Sequence, residues 1–163
     1  MKPSEIEFRK TIEKHKDSVY KVAFSYCKNK HDADDAFQEV FMRYLKTHKT
    51  FNDEKHEKAW FIRVTINVCK SLYRTRWFRK TQPLDEQIPY EPEEEEYELL
   101  ESVMSLNPKY STPLHLYYYE GYSVREIADT LSISETNVQT RLYRARKQLK
   151  QQLEEDGFNY GKK

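Results

Sequence analysis

The chain has 163 residues, of which 37% are hydrophobic, 34% charged and 14% aromatic, and its formal net charge is +1, so one ordinary domain or two small ones are expected. Only three glycines are present, which favours helices joined by short turns over a strand-rich fold. No stretch approaches the ~18 apolar residues of a membrane span and the N-terminus lacks the apolar core of a signal peptide, so we expect a cytoplasmic protein without membrane insertion.

Three helices are predicted in the first half of the chain. Apolar residues at helical spacing place the first at about residues 5–28. The second follows Lys30 and His31, with Asp32 as its expected N-cap. The third covers roughly residues 57–76, and its apolar side chains spread over most of its circumference. Such a helix must be covered by neighbours on several sides.

One strip of the third predicted helix is polar. Spacings of four, three and four residues place four side chains on one face: Arg63, Asn67, Lys70 and Arg74. Basic and aromatic residues continue to Lys80, a mixture that suits phosphate contact and base stacking. Spacing alone equally allows a solvated face with extended arginine stems, so both interpretations stay open.

Charge divides the chain into blocks. Residues 1–80 carry a net charge of +8, residues 81–102 hold nine acidic and no basic residues, and residues 103–163 carry +2. Three prolines lie within residues 81–95, which predicts a flexible acidic linker. We therefore expect one domain at 1–80 and another at 96–163, with nucleic-acid contact in the flanking blocks.

The C-terminal block contains a strong local pattern. After a break at Asn107 and Pro108, a helix is predicted from Pro113 to Gly121. Ser123 and Glu126 then form a capping-box pattern, followed by a short helix, a two-residue turn, and Ser134 as cap of a helix over residues 135–153. Turn length, the small Ala128 and the apolar register together predict a helix-turn-helix.

The second helix of this motif has a candidate DNA-binding face. Residues 137–150 contain five basic residues and no acid. Amide, hydroxyl and aromatic groups at its start can read base edges, and the basic groups behind them can hold phosphates. A motif used only for protein contact, or a basic helix that is simply solvated, is the weaker alternative. The candidate residues are Asn137, Gln139, Thr140, Arg141, Tyr143, Arg144, Arg146 and Lys147.

Patterns typical of catalysis are missing from the sequence. Cys27 and Cys69 lack a second cysteine at metal-ligand spacing and lie in apolar helical surroundings, so buried, reduced thiols are expected. The histidines are scattered, and the acidic group around Asp32 lacks the glycine and spacing of a calcium loop. We expect neither a metal site nor a cofactor, and no enzyme.

Segments at 32–43, 60–74 and 106–146, in this order, resemble the extracytoplasmic-function sigma factors of the sigma-70 family. The resemblance implies an all-α protein of two small helical domains: an N-terminal bundle of three to four helices and a C-terminal helix-turn-helix domain. The first segment resembles the helix that docks on core RNA polymerase, which implies a docking role for Asp32, Asp35, Gln38, Glu39, Phe41 and Arg43.

The second segment resembles the promoter-melting helix. It implies contact with the −10 element through Trp60, Arg63, Asn67, Lys70 and Arg74. The third segment resembles the −35-binding domain. Core polymerase (its β′ clamp helices and β flap), promoter DNA and an anti-sigma factor are the implied partners of an alternative sigma factor that drives transcription initiation. The competing hypothesis is a helix-turn-helix regulator that acts without polymerase.

Overall fold

The computed structural model describes residues 4–47, 49–74 and 106–155, and these residues form helices and turns without a strand. The chain divides into two compact units, Met1–Glu91 and Pro92–Lys163. The predicted all-α fold is confirmed, whereas the predicted linker at 81–95 lies outside the described residues. None of the described helices could cross a membrane. The helices are α1 (Glu5–Cys27), α2 (Lys30–Lys46), α3 (Glu54–Arg74), α4 (Pro108–Tyr118), α5 (Val124–Leu131) and α6 (Glu135–Glu155).

In the first unit, α1, α2 and α3 each pack against the other two. Aromatic rings fill much of the core between them. The Phe41 ring lies 5.0 Å from that of Phe37 and 5.5 Å from that of Phe61, centroid to centroid. All three side chains are buried, and burial of such a side chain contributes about 1.5–3 kcal/mol. These contacts fix α3 against the other helices on several sides, as its apolar pattern predicts.

The start of α2 differs from the prediction. Asn29, not Asp32, is the N-cap, and its side-chain oxygen accepts a hydrogen bond from the Asp32 amide at 2.8 Å. The prediction of Asp32 as cap was wrong because Lys28, with φ of 66°, already ends α1 and turns the chain. Asp32 instead occupies the third helical position, where its carboxylate accepts a 3.0 Å hydrogen bond from the side-chain nitrogen Nδ2 of Asn29.

The start of α3 also differs. The helix begins at Glu54, three residues before the predicted start. The Asp53 carboxylate accepts a hydrogen bond from the His56 amide at 2.8 Å, which satisfies one of the free donors of the first turn. Because Glu54 and Glu57 both lie in that turn, the helix dipole favours this earlier start.

In the second unit, α4 begins at Pro108 rather than at Pro113. The Asn107 side chain caps it by accepting from the Lys109 amide at 2.9 Å, and Pro108 takes the first helical position, where its missing N–H costs nothing. Pro113 lies inside the helix, so the prediction that it starts the helix was wrong. The helix ends at Tyr118, and Gly121 follows in the turn with φ of +72°.

The helix-turn-helix is confirmed. Ser123 Oγ accepts from the Glu126 amide at 3.1 Å, and the Glu126 carboxylate accepts from the Ser123 amide at 2.9 Å. Ser132 forms the turn with φ of 59°, and Ser134 Oγ accepts from the Asn137 amide at 3.0 Å. Where α5 and α6 cross, four buried side chains fill the space between the helices: Ile127, Ala128, Val138 and Leu142.

Candidate nucleic-acid interface

The outer face of α6 presents the predicted DNA-binding side chains to solvent. Val138, Leu142 and Ala145 are buried against the rest of the unit, so the period of 3.6 residues turns the polar residues outward. Arg141 is half-buried and the others are exposed: Asn137, Gln139, Thr140, Tyr143, Arg144, Arg146 and Lys147. The structure therefore brings the eight predicted residues together on one helix.

Two side chains of this face are held in place by hydrogen bonds. Arg141 Nε donates to Asn137 Oδ1 at 3.1 Å, one helical turn away. Arg146 Nη1 donates to the hydroxyl of Tyr118 at 2.8 Å, and its guanidinium carbon lies 5.9 Å from the centroid of the same ring. Tyr118 belongs to α4, so the sequence pattern of α6 gave no signal for it.

The polar strip of α3 is also formed. Arg63, Asn67 and Arg74 are exposed and Lys70 is half-buried, whereas the opposite side of the helix is buried in the core. Exposed cations on one side of an otherwise packed helix can contact phosphates without disturbing the fold. The strip thus has the accessibility that the proposed −10 contact requires.

Trp60 is part of an aromatic cluster at the start of α3. Its ring is 5.7 Å from Phe51 in the preceding loop, 6.2 Å from Tyr44 on α2 and 4.9 Å from Phe61. The indole is half-buried, so neighbours hold it in one orientation. A ring fixed in this way can offer a preformed apolar surface to an unstacked base.

An ion-pair cluster ties the same end of α3 to α1. His15 Nε2 lies 2.6 Å from Glu57 Oε1, and Lys14 Nζ lies 3.3 Å from the same oxygen. Burial lowers the pKa of His15, although the Glu57 carboxylate opposes this shift. Burial would raise the pKa of Glu57, but the hydrogen bonds from His15 and Lys14 outweigh it, so the pKa of Glu57 is lowered. Both groups therefore bind protons less readily than the same side chains in water.

The predicted polymerase-docking residues lie on α2, with one correction. Asp32, Asp35, Gln38 and Glu39 are half-buried and Arg43 is exposed. Arg43 Nε donates to Glu39 at 2.9 Å. Phe41, however, is 0% exposed, so the prediction that it contacts polymerase directly was wrong. Its ring packs against Phe37 and Phe61 and fixes the orientation of α2.

A cluster of potential ligand atoms lies at the start of α2. Those of His31, Asp32 and Asp35 are all within 4.8 Å of one another. His31 is 3.8 Å from Asp35 as an ion pair one turn apart. Exposed acidic groups of this kind are common without a metal ion, so the cluster belongs with the polar face of α2.

Comparison with known proteins extends over both units. Residues 11–79 match the family described as Sigma-70 region 2, and residues 97–149 match Sigma-70, region 4. The RNA polymerase sigma factor SigV of Bacillus subtilis is 30% identical over 154 residues, which cover 91% of this chain and 92% of SigV. The ECF RNA polymerase sigma factor SigM of the same organism is 31% identical over 142 residues, covering 81% and 86% of the two chains.

Two solved structures have the same fold. The sigma factor RpoE of Bartonella quintana, in complex with the anti-sigma factor NepR, gives a TM-score of 0.68 at 18% identity, covering 90% of this chain and 96% of RpoE. CnrH, in complex with the cytosolic domain of CnrY, gives a TM-score of 0.63 at 24% identity, covering 94% of this chain and 91% of CnrH.

Proposed function

This chain belongs to the extracytoplasmic-function sigma factors of the sigma-70 family, and we propose that its two compact units divide promoter recognition between the −10 and −35 elements. As a member of this family it is an alternative sigma factor, which binds core RNA polymerase and promoter DNA and drives transcription initiation. We assign it no catalytic activity of its own, and we place it in the cytoplasm with the polymerase. Nothing in the comparisons favours the polymerase-independent regulator.

The −35 element is assigned to α6. Asn137, Gln139 and Thr140 lie near its start, where a recognition helix contacts base edges, and each good bidentate contact discriminates by about 1–3 kcal/mol. Arg144 and Lys147 follow on the exposed side, suited to phosphates. The observation that carries the proposal is this face of α6, exposed and free of acidic residues from 137 to 150.

The −10 element is assigned to α3. Arg63, Lys70 and Arg74 would contact the backbone while Asn67 and the Trp60 cluster receive an unstacked base. Stacking of a base on an aromatic ring is worth about 1–3 kcal/mol, comparable with the few kcal/mol needed to extrude it. Binding can therefore open the duplex without ATP.

Polymerase docking is assigned to α2, through Asp32, Asp35, Gln38, Glu39 and Arg43. The net charge of +8 over residues 1–80 is modest for tight binding to free DNA. A polymerase scaffold that holds both units, through the β′ clamp helices and the β flap, would raise their effective concentration at the promoter.

An anti-sigma factor is the third proposed partner. Family membership supports it, and RpoE was solved with the anti-sigma factor NepR. Such a partner would bind the surfaces that polymerase and DNA also use. A chain bound to the anti-sigma factor could then not bind polymerase and DNA at the same time.

Run-off transcription with core polymerase tests the assignment. Wild-type chain should give defined start sites, and Asn67→Ala should reduce promoter opening about tenfold while leaving binding of a −35 duplex in the holoenzyme unchanged. Glu13→Ala on the exposed side of α1, with its carboxylate 71% exposed, is the control and should change neither. Equal losses of opening and −35 binding in Asn67→Ala would refute the division between the units.

A further inference from the structure

The two cysteines of the chain meet in the core of the first unit. Cys27 is the last residue of α1 and Cys69 lies on α3, 42 positions later, with their Sγ atoms 3.6 Å apart. Both are free thiols. Both residues are buried, Cys69 at 0% and Cys27 at 9% exposure, so Cys27 lies nearer to solvent. As the chain has two cysteines in all, each has the other as its sole internal partner.

The pair lies between two proposed binding surfaces. The Cys27 carbonyl accepts a 3.1 Å bond from the side chain of Asn29, the residue that caps α2 next to Asp32. Cys69 comes two residues after Asn67 and directly before Lys70. A covalent bond here would join the end of α1, beside the cap of the docking helix, to the buried side of α3, whose opposite side carries the promoter-melting strip.

We propose that Cys27 and Cys69 form a reversible intramolecular disulfide bond, and that the oxidised chain opens the −10 element less readily than the reduced one. The effect on opening rests on the proposed function, whereas formation of the bond does not.

The oxidant we propose is a low-molecular-weight disulfide. The Cys27 thiolate attacks one of its sulfur atoms, which forms a mixed disulfide and releases one small thiol. The Cys69 thiolate then attacks the Cys27 sulfur, which forms the internal bond and releases the second small thiol. The protein loses two electrons and two protons, and the small disulfide gains them.

The exposure of each thiol determines which cysteine reacts first, and the loss of its proton determines how fast the bond closes. Cys27 is the less buried of the two residues, so a solvent oxidant is expected to reach it first. The hydrogen bond with Cys27 and burial raise the pKa of the Cys69 thiol well above its ordinary value. The thiolate is the attacking species, so ring closure is expected to accelerate as the pH rises.

Closing the bond requires the two sulfur atoms to move closer together. A disulfide requires an S–S distance of about 2.05 Å, roughly 1.5 Å shorter than the 3.6 Å contact. Side-chain rotation can supply part of this, but a close-packed core passes the rest to the backbone. Asn67 and Lys70 flank the moving residue, and misplacement by ~1 Å can cost up to two orders of magnitude in a positioned reaction.

Bond formation is tested on the full purified chain with glutathione disulfide. The intact mass should fall by two hydrogen atoms, and a non-reducing peptide map should join the peptides that contain Cys27 and Cys69. Cys69→Ser should instead keep a glutathione adduct at Cys27, because the second thiol is missing. An unchanged mass, a disulfide-linked dimer or a stable adduct on the wild-type chain would each overturn the proposal.

The effect on opening is tested by run-off transcription from a duplex promoter and from one with a premelted −10 element. Oxidised chain should lose on the order of tenfold on the duplex, little on the premelted template, and recover with dithiothreitol. Cys27→Ser and Cys69→Ala, each checked for helix content by circular dichroism, cannot form the internal bond and should not show the tenfold loss on the duplex when oxidant is added. Equal activity of the oxidised and reduced chain would overturn the proposed effect on promoter opening. Inactivity of the reduced chain would instead count against the proposed function.

Discussion

His15 and Glu57 illustrate how single residues prepare the melting helix. The imidazole stacks on Phe61 at 4.5 Å between ring centroids and contacts the Glu57 carboxylate at 2.6 Å. Both groups are largely buried, with side chains 4% and 17% exposed. The contact fixes the first turns of α3, which hold the Trp60 cluster, against α1.

The same pair predicts loss of stability in acid. The pKa values of His15 and Glu57 are both lowered from their ordinary values of 6.5 and 4.5, so the unfolded chain binds protons more readily than the folded one. The stabilisation is present above these values and is lost as pH falls, from about pH 6.5 for His15 and below about pH 4.5 for Glu57. Thermal unfolding of wild-type chain should show a midpoint that declines from pH 7.5 to 5.5.

The variant His15→Gln should be less stable at pH 7.5 but should show a shallower decline over that interval. His31→Gln is the matched control, since that imidazole is 77% exposed, and it should keep the wild-type slope. A wild-type slope in His15→Gln would show that another group controls the acid response.

Substitution of Tyr118 should weaken a contact that lies entirely within the second unit. Tyr118→Phe removes the hydroxyl that accepts from Arg146 but keeps the ring. A hydrogen bond of this kind contributes about 0.5–1.5 kcal/mol, so binding of −35 DNA by the holoenzyme should weaken about two- to tenfold. Initiation from a promoter with a premelted −10 element should show the same loss, since the −35 contact is still needed there.

Fluorescence anisotropy with labelled −35 duplex measures this effect. Tyr117→Phe removes a neighbouring hydroxyl on α4 and serves as the control. In an Arg146→Ala background, Tyr118→Phe should have no further effect. A full loss in that background would mean that Tyr118 acts without Arg146.

At the scale of helices, two non-glycine residues among those that the structure describes adopt the left-handed backbone conformation. Lys28 after α1 has φ of 66° and Ser132 after α5 has φ of 59°. A side chain in this region costs roughly 1–2 kcal/mol, which glycine avoids. The larger conformational entropy of the unfolded chain with glycine offsets part of this stabilisation.

Ser132→Gly should therefore stabilise the helix-turn-helix by about 0.5–1 kcal/mol, and Lys28→Gly should do the same for the first unit. Each is the control for the other. Hydrogen exchange should show slower exchange in α5 and α6 for the first variant and in α1 and α2 for the second. Faster exchange in the substituted unit would contradict the argument.

Local patterns explain which helices could be predicted. The capping box, turn and apolar residues of α5 and α6 lie within one short segment, so the local sequence contains the features that fix their ends. The start of α2 offers two candidate caps, Asn29 and Asp32, and the start of α4 offers two candidate first residues, Pro108 and Pro113. The choice depends on the direction in which the chain enters, which a helical pattern does not encode.

Long-range contacts explain what could not be predicted at the candidate site. The faces of α3 and α6 follow from helical spacing and are found where expected. The burial of Phe41, the bond from Arg146 to Tyr118 and the meeting of Cys27 with Cys69 each require the packing of separate helices. A motif that matches a family pattern also does not distinguish a residue that touches a partner from one that positions its neighbours.

At the scale of the whole molecule, the proposed function requires two independent contacts with one promoter. The exposed polar strip of α3 and the exposed face of α6 belong to different compact units. If polymerase is the common scaffold, each contact adds its own free energy and loss of one leaves the other in place.

A double-mutant cycle tests this independence. Asn67→Ala and Arg144→Ala alter one residue in each unit, and sites without shared partners usually add within about 0.3–0.5 kcal/mol. The fold-losses in initiation rate on a duplex promoter should therefore multiply in the double variant. On a premelted template the loss of initiation rate caused by Asn67→Ala should become smaller, whereas the loss caused by Arg144→Ala should stay the same. Arg144→Ala should also make the initiation rate less sensitive to salt, by the amount expected for about one phosphate contact. A double variant no worse than either single one would mean that both residues serve a single contact, and recognition by two units would have to be abandoned.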